Sequence, residues 1–190
     1  MEYTMEERCA LICEACLTET SVDIIDIFEH IADCDFVRIH GPEHHILDGA
    51  AFLAAYRNAG GKVDLAECLQ EMPRRGLQMP GAACGLWGVC GAVTSLGAAM
   101  SILDGTGPLT SDGTWGKHME YTSAALQKIG HINGPRCCKR DGYIALLQAA
   151  DFASTYYGVP MAAKTPRCHY SAQNAQCIGS HCPFSEVSYG

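Results

Sequence analysis

The sequence is short of positive charge. Its 13 Lys and Arg stand against 21 Asp and Glu, for a formal net charge of −8, and the basic residues are scattered. That leaves no cationic face for a phosphate backbone and argues against nucleic acid as a partner. Runs of β-branched residues are also scarce, so helix is the expected currency of this alanine-rich chain. No phosphate-cradling glycine motif stands between a strand and a helix, so nothing supports nucleotide binding. Positions 1–8 are acidic and lack the basic, apolar and small-residue pattern of a leader, which makes a reducing cytoplasm the expected compartment. There is no internal repeat and no low-complexity run. At 190 residues the chain can bury the core of one domain without disulfides.

Cysteine, by contrast, is abundant, with 12 residues. In a reducing compartment, metal or catalytic use of some thiols is a better reading than a disulfide framework. One stretch organises the chain. From Gly81 to Leu103 there is no charge, and Cys84 and Cys90 stand among Gly85, Gly88 and Gly91 before a small-residue helical run. On one continuous helix these two thiols would lie about 240° apart around the axis. The glycines predict instead a close-turning loop from Cys84 to about Gly88, then a helix from about Val89. Both thiols can then face one point, and Cys90 sits at a helix N-terminus, where the dipole and free amides favour thiolate. The plainer alternative is two buried cysteines in a tightly packed Gly/Ala helix. The uncharged run is long enough to span a membrane. It is so rich in Gly, Ala, Ser and Thr that a buried central helix fits better, and no membrane is expected as a partner.

A second stretch reads Asn133-Gly134-Pro135-Arg136-Cys137-Cys138-Lys139-Arg140. A Gly-Pro turn presents adjacent thiols before a helix expected from about Tyr143 to Tyr157. Arg136, Lys139 and Arg140 would hold nearby thiolates deprotonated, or neutralise an anionic cluster or substrate. A third, His40-Gly41-Pro42-Glu43-His44-His45, crowds three imidazoles and a carboxylate at the start of a helix that runs to Asn58 and stops at Gly60-Gly61. These side chains are candidate ligands or acid–base groups, against the alternative of exposed histidines at a helix start.

In the tail, Cys168, Cys177 and Cys182 follow a C-x8-C-x4-C spacing in a segment with little apolar content, which a metal would pin down. Near the N-terminus, Cys9, Cys13 and Cys16 share one face if helical. In a loop the same spacing can wrap three corners of an iron–sulfur cluster. Cys13 and Cys16 also fit half of a zinc knuckle, with Cys34 as a candidate for the other half.

Further helices are expected over 20–33, capped by Thr20 or Ser21, over Val63–Glu71 with Asp64 near its start, and over His118–Ile129. Asp104 to Lys117, with Trp115 inside it, reads as a loop. The organisation expected is an all-α, compact helical domain around the buried Gly/Ala-rich central helix. A cysteine-containing segment (1–20) precedes the helical core (21–160), and an irregular cysteine-containing tail (161–190) follows it.

With these motifs assembled, the chain resembles a prokaryotic family catalogued only as a domain of unknown function and found largely in anaerobes. The likeness runs from about His40 to Phe184. It rests on the His40–His45 motif, Ala55-Tyr56-Arg57-Asn58-Ala59-Gly60-Gly61, Cys84-Gly85-Leu86-Trp87-Gly88-Val89-Cys90-Gly91-Ala92, Gly134-Pro135-Arg136-Cys137-Cys138-Lys139-Arg140, and Asn174 to Phe184. More faintly, Cys90-Gly91-Ala92-Val93 and the later Cys137 are similar to small helical proteins assigned a redox role by a cysteine-glycine motif. That likeness implies an all-α fold with the two turns close together.

The leading expectation is an iron–sulfur or other metal centre held by Cys84, Cys90, Cys137 and Cys138. His40, Glu43, His44 and His45 would line the same cavity, and Arg136, Lys139 or Arg140 would stabilise negative charge. The chemistry would be redox or sulfur handling on a small molecule or with a redox partner protein. A zinc protein with Cys/His ligands, structural in the tail or hydrolytic, is the second reading. A metal-free dithiol protein or a binding module, in which Cys137 and Cys138 cycle between thiol and disulfide with a partner, is the third. The oligomeric state is open, a homodimer included.

Overall fold

The structure, a computed structural model, describes residues 2–186. Its helices are α1 (Met5–Thr18), α2 (Ile24–Ala32), α3 (His44–Asn58), α4 (Leu65–Gly76), α5 (Ala83–Leu86), α6 (Gly91–Leu103), α7 (Thr114–Ile132) and α8 (Cys138–Phe152). A π-helical turn (Ala153–Tyr157) continues α8, and the tail carries two short 3₁₀ turns. Among the described residues there is no strand, only two isolated bridges, Asp23 with Ala162 and Cys168 with Ser185. The chain is all-α, as expected.

The core forms around α3 and α6. Every residue of α3 from His44 to Tyr56 is buried, as befits a helix with neighbours on all sides. It lies against α6, the Gly/Ala-rich helix, and the approach is close because neither surface is bulky there. The Gly49 N–H donates to Ser95 Oγ at 2.9 Å, and a Cβ on Gly49 would fall 2.7 Å from the Ser95 carbonyl oxygen. Helices α1, α2, α4 and α8 also pack on α3, while α7 packs on α6 and α8. Cys9, Ile12 and Cys16 of α1 belong to the same apolar cluster, so the N-terminal segment is built into the core.

Several element boundaries differ from the sequence reading, each for a local reason. Helix α2 is capped by Asp23, not by Thr20 or Ser21. The Asp23 carboxylate accepts from the N–H groups of Ile25 and Asp26, and Ser21 Oγ accepts from the Asp23 N–H. Helix α7 begins at Thr114, so Trp115 is helical. Helix α8 begins at Cys138 instead of about Tyr143, so the paired cysteines start the helix and do not precede it. Residues 84–88, expected as a loop, hold the single turn of α5, entered through Ala82 in the left-handed region (φ 65°). Of the tail segment, residues 187–190 lie outside the described residues.

Helix α4 runs past Pro73 to Gly76. A proline at 73 cannot donate to the carbonyl of Leu69, which loses its helical partner. The Cys13 thiol of α1 supplies one, with Sγ 3.3 Å from that oxygen. Cys9, Cys13 and Cys16 do share one face of a helix, buried or half-buried, and Cys34, just past the end of α2, instead donates to the His30 carbonyl of that helix. The N-terminal thiols are therefore packing groups, not the loop of a cluster or half of a knuckle. Cys13→Ala is expected to lower the unfolding free energy by about 1 kcal/mol, because it strands a carbonyl. Chemical denaturation checks it, and an unchanged midpoint would show that the contact carries no weight.

Candidate functional site

Three segments converge at one end of α3, α6 and α8: residues 40–45, residues 81–91 and residues 136–141. Two of the helices start there with cysteine as the N-cap. Cys90 caps α6, and the amides of Ala92 and Val93 lie against its sulfur. Cys137 caps α8, with the Arg140 N–H donating to its Sγ at 3.4 Å. Cys90 thus occupies the helix start that the glycine spacing predicted.

A small inner cavity of about 60 Å³ is lined by His44, His45, Cys84, Cys90, Cys138 and Asp141, with Arg136 at its edge. It opens into an outer cleft of about 790 Å³ that shares Cys84, Cys90, Arg136 and Asp141 and is walled by Leu126, Ile129 and Pro135. The leading four-cysteine set divides here. Cys84, Cys90 and Cys138 line the cavity. Cys137 turns its sulfur away from it, accepting from Asn174 Nδ2 of the tail at 3.5 Å. Among the described residues no three His, Cys, Asp or Glu side chains stand where they could hold one metal ion.

The charge state of the thiols also departs from the sequence reading. Burial pushes the Cys90 thiol up and Asp141 adds to it, outweighing the helix amides. Burial likewise pushes Cys138 up to about 12. Burial thus favours the thiol at both, against the thiolates expected from the helix dipole at Cys90 and from the neighbouring cations at Cys138. The expected cations are committed elsewhere. Lys139 is fully buried, donates from Nζ to the Ala32 carbonyl at 3.1 Å, and lies over the Tyr170 ring at 4.8 Å. Burial lowers it to about 8. Arg140 donates to Asp141 Oδ1 at 2.9 Å and to the Pro135 carbonyl at 3.1 Å. Arg136 alone of the three is exposed at the cleft.

The histidine motif splits by role. Glu43 is fully buried, and Arg38 grips both of its oxygens, Nε to Oε1 at 2.9 Å and Nη2 to Oε2 at 2.6 Å. Although burial pushes it up, the guanidinium and backbone amides hold it down at about 2. It is a structural carboxylate, not an acid–base group.

His44 is buried and neutral, its pKa lowered to about 3 by burial, with Nε2 donating to the Arg38 carbonyl at 3.1 Å. His40 is occupied at both nitrogens. Nδ1 accepts from the Cys138 N–H at 3.4 Å, so Nε2 carries the proton and donates to Asn174 Oδ1 at 2.9 Å. His40 therefore ties the tail to α8 and has no lone pair left for a metal. His45 donates from Nδ1 to the Met79 carbonyl at 3.2 Å, which leaves Nε2 as an acceptor. That nitrogen packs on Gly91, where a Cβ would collide with the ring.

Glu43→Gln is expected to cost about 2 kcal/mol, less than a fully buried pair because the Arg38 side chain, 44% exposed, can rehydrate. A carboxylate held below its unfolded value stabilises the fold above the unfolded pKa and stops doing so as pH falls through the folded one. The wild type should therefore lose stability from about pH 4.5 towards pH 2, and the variant should lose less across that window. Unfolding midpoints measured between pH 2 and 7 check this, and parallel curves would contradict it.

Three groups in the site carry no sequence prediction. Asp141 lies with Oδ2 3.9 Å from Cys90 Sγ and is pushed up by burial despite Arg140. Its signal was an acidic residue directly after two cations. Asp48 is fully buried, neither oxygen has a hydrogen-bond partner among the described residues, and burial pushes it well above the usual carboxylate range. Its signal was an i, i+4 relation to His44. Asn174 bridges His40 and Cys137, and only its place in the tail motif marked it. The tail cysteines, Cys168, Cys177 and Cys182, lie on the Cys137 side of this end, away from the cavity.

No helix among the described residues is long and apolar enough to cross a membrane. A family model, described as a family of unknown function (DUF5714), matches residues 12–185. No curated protein and no solved structure matches the chain.

Proposed function

For a chain that belongs to the DUF5714 family, a family of unknown function, we propose redox or sulfur-handling chemistry on a small molecule, carried by the cleft thiols. The observation that supports it is the meeting of Cys84, Cys90 and Cys138, from three separate segments, on one cavity with Asp141 and His45. Cys84 is half-buried and faces both the inner cavity and the outer cleft, so it meets substrate first. Cys90 stands behind it with a carboxylate to take its proton.

The reaction class is reduction of a small-molecule disulfide. Cys84 sulfur attacks one substrate sulfur, the S–S bond breaks, and the first product leaves as a thiol carrying the Cys84 proton. Cys90 gives its proton to Asp141 and attacks the mixed disulfide. The second product leaves and takes that proton from Asp141. Two protein thiols become one disulfide, and one substrate disulfide becomes two thiols. Arg136, exposed at the mouth, favours an anionic substrate. A walled cleft opening on a narrow inner cavity suits a small molecule better than a protein chain.

The test is consumption of a low-molecular-weight disulfide by reduced protein under anaerobic conditions. Wild type should consume one equivalent, and Cys84→Ser should fall to the uncatalysed background. Full consumption by Cys84→Ser would sink the proposal.

A further inference from the structure

The outer cleft is larger than thiol exchange at Cys84 requires. At about 790 Å³ it lies in the range of pockets that hold drug-sized ligands, well beyond a disulfide of a few atoms. One wall is a face of α7, where Leu126, Ile129 and Gly130 recur at i, i+3 and i+4. An apolar stripe on a helix ordinarily packs on a neighbour, and this one faces open space. Leu86 of α5 lines the same cleft and is 76% exposed. These side chains leave water only when something enters.

The glycines of the cleft keep it open. A Cβ at Gly85, Gly130 or Gly134 would meet nothing within 4 Å. Gly130 lies inside α7 and is not one of the left-handed positions, so neither a turn nor a close approach calls for glycine there. Glycine weakens a helix relative to alanine. What its missing side chain provides is space in the cleft. Charge is confined to the inner end. Arg136 and Cys84 line both the cleft and the inner cavity, whereas Leu86, Leu126 and Ile129 line the cleft alone. Arg136 is exposed and has no carboxylate partner among the described residues. Arg140, the other cation of the lining, is committed to Asp141 and the Pro135 carbonyl.

We propose that the substrate is an amphipathic disulfide, with an anionic group close to its sulfurs and an extended hydrocarbon arm on one of them. The anion pairs with Arg136, the sulfurs meet Cys84 where cleft and cavity join, and the arm lies over Leu86, Leu126, Ile129 and the bare backbone at Gly130. The assignment rests on the disulfide chemistry proposed for the same cleft and names the class of molecule that chemistry acts on. A short, wholly polar disulfide would leave the apolar wall wet and gain nothing from it.

The test pairs binding with reaction, on reduced full-length protein. Thioethers of mercaptopropionate carrying a hexyl or a methyl group cannot exchange, so calorimetry with them reads the cleft alone. Each methylene taken out of water is worth about fourfold, and the hexyl thioether should bind about thirtyfold or more tightly than the methyl. The corresponding mixed disulfides should be consumed in the same order. Gly130→Leu, at a helix position with room for a side chain, should cut the binding ratio to about threefold or less by filling the cleft. Leu86→Ser, at an exposed position, should also lower it. Exchanging the carboxylate of the hexyl thioether for its amide should weaken binding to wild type about tenfold and leave binding to Arg136→Gln unchanged. Equal binding of the hexyl and methyl thioethers, or a ratio that survives both cleft variants, would overturn the substrate class. Hexyl-selective binding with neither disulfide consumed would uphold the class of ligand and sink the disulfide chemistry. Equal binding with both disulfides consumed would do the reverse.

Discussion

Replacing Gly49 by valine is expected to lower the free energy of unfolding by about 3 kcal/mol or more. The helices α3 and α6 are the centre of the packing, and Gly49 lies against the Ser95 carbonyl of α6. A Cβ there would stand 2.7 Å from a backbone oxygen of Ser95 and would also meet the Met72 side chain. The methionine can swing aside, but the carbonyl belongs to a helix fixed along its length. The bond from the Gly49 N–H to Ser95 Oγ would stretch as the helices part. Because both helices carry cleft residues at the same end, the separation should widen the inner cavity as well. Urea unfolding checks the first effect through a lower midpoint at an unchanged slope. A shift below about 0.5 kcal/mol would show that α3 and α6 are not packed this closely.

The second large effect concerns the cleft. With Cys90 replaced by serine, the first attack still occurs at Cys84, but no thiol remains behind it to displace the substrate. A mixed disulfide on Cys84 should therefore accumulate and persist, whereas the wild type passes through it. Cys84→Ser should form no adduct at Cys90, because that thiol is buried and holds its proton. Mass spectrometry of the two variants after treatment with a low-molecular-weight disulfide separates these outcomes. An adduct on Cys90 in Cys84→Ser, or none on Cys84 in Cys90→Ser, would reverse the assigned order of attack.

Much of the fold was legible because it depended on local signals. Glycine spacing placed Cys90 at the start of α6, and Gly60-Gly61 ended α3. The α8 start was hidden because Arg136 to Asp141 reads as a charged turn, while in the fold Lys139, Arg140 and Asp141 are all buried. Charged residues signal surface only when nothing pairs with them, and here a carbonyl, a carboxylate and an aromatic ring do. Helix α4 outran its expected end because a thiol from another helix serves the carbonyl freed by Pro73, a compensation that periodicity cannot show. The tail has no periodicity at all, and its arrangement depends on Asn174 and His40, which are 134 residues apart.

The same distinction holds for the site. Composition and spacing picked out Cys84, Cys90 and Cys138 together with His45 and Arg136, and these do share a cavity. Vicinal cysteines read as a pair in sequence, yet at a helix start successive side chains point about 100° apart, so Cys137 and Cys138 face different neighbours. Glu43 and His40 looked chemical because of their type. Arg38 decides otherwise by donating to both Glu43 oxygens, and the Cys138 N–H does so by occupying the one lone pair of His40. Asp48 and Asp141 went unseen because a carboxylate on a helix is ordinarily a solvated residue, and only packing reveals it as buried.

The most direct measurement is the disulfide map of the protein after reaction with one equivalent of a low-molecular-weight disulfide under anaerobic conditions. Peptide mass mapping should find a Cys84–Cys90 linkage, with Cys138 still a thiol. A linkage from Cys138 to a tail cysteine, or no intramolecular linkage while the oxidant is consumed, would contradict the account of the cleft.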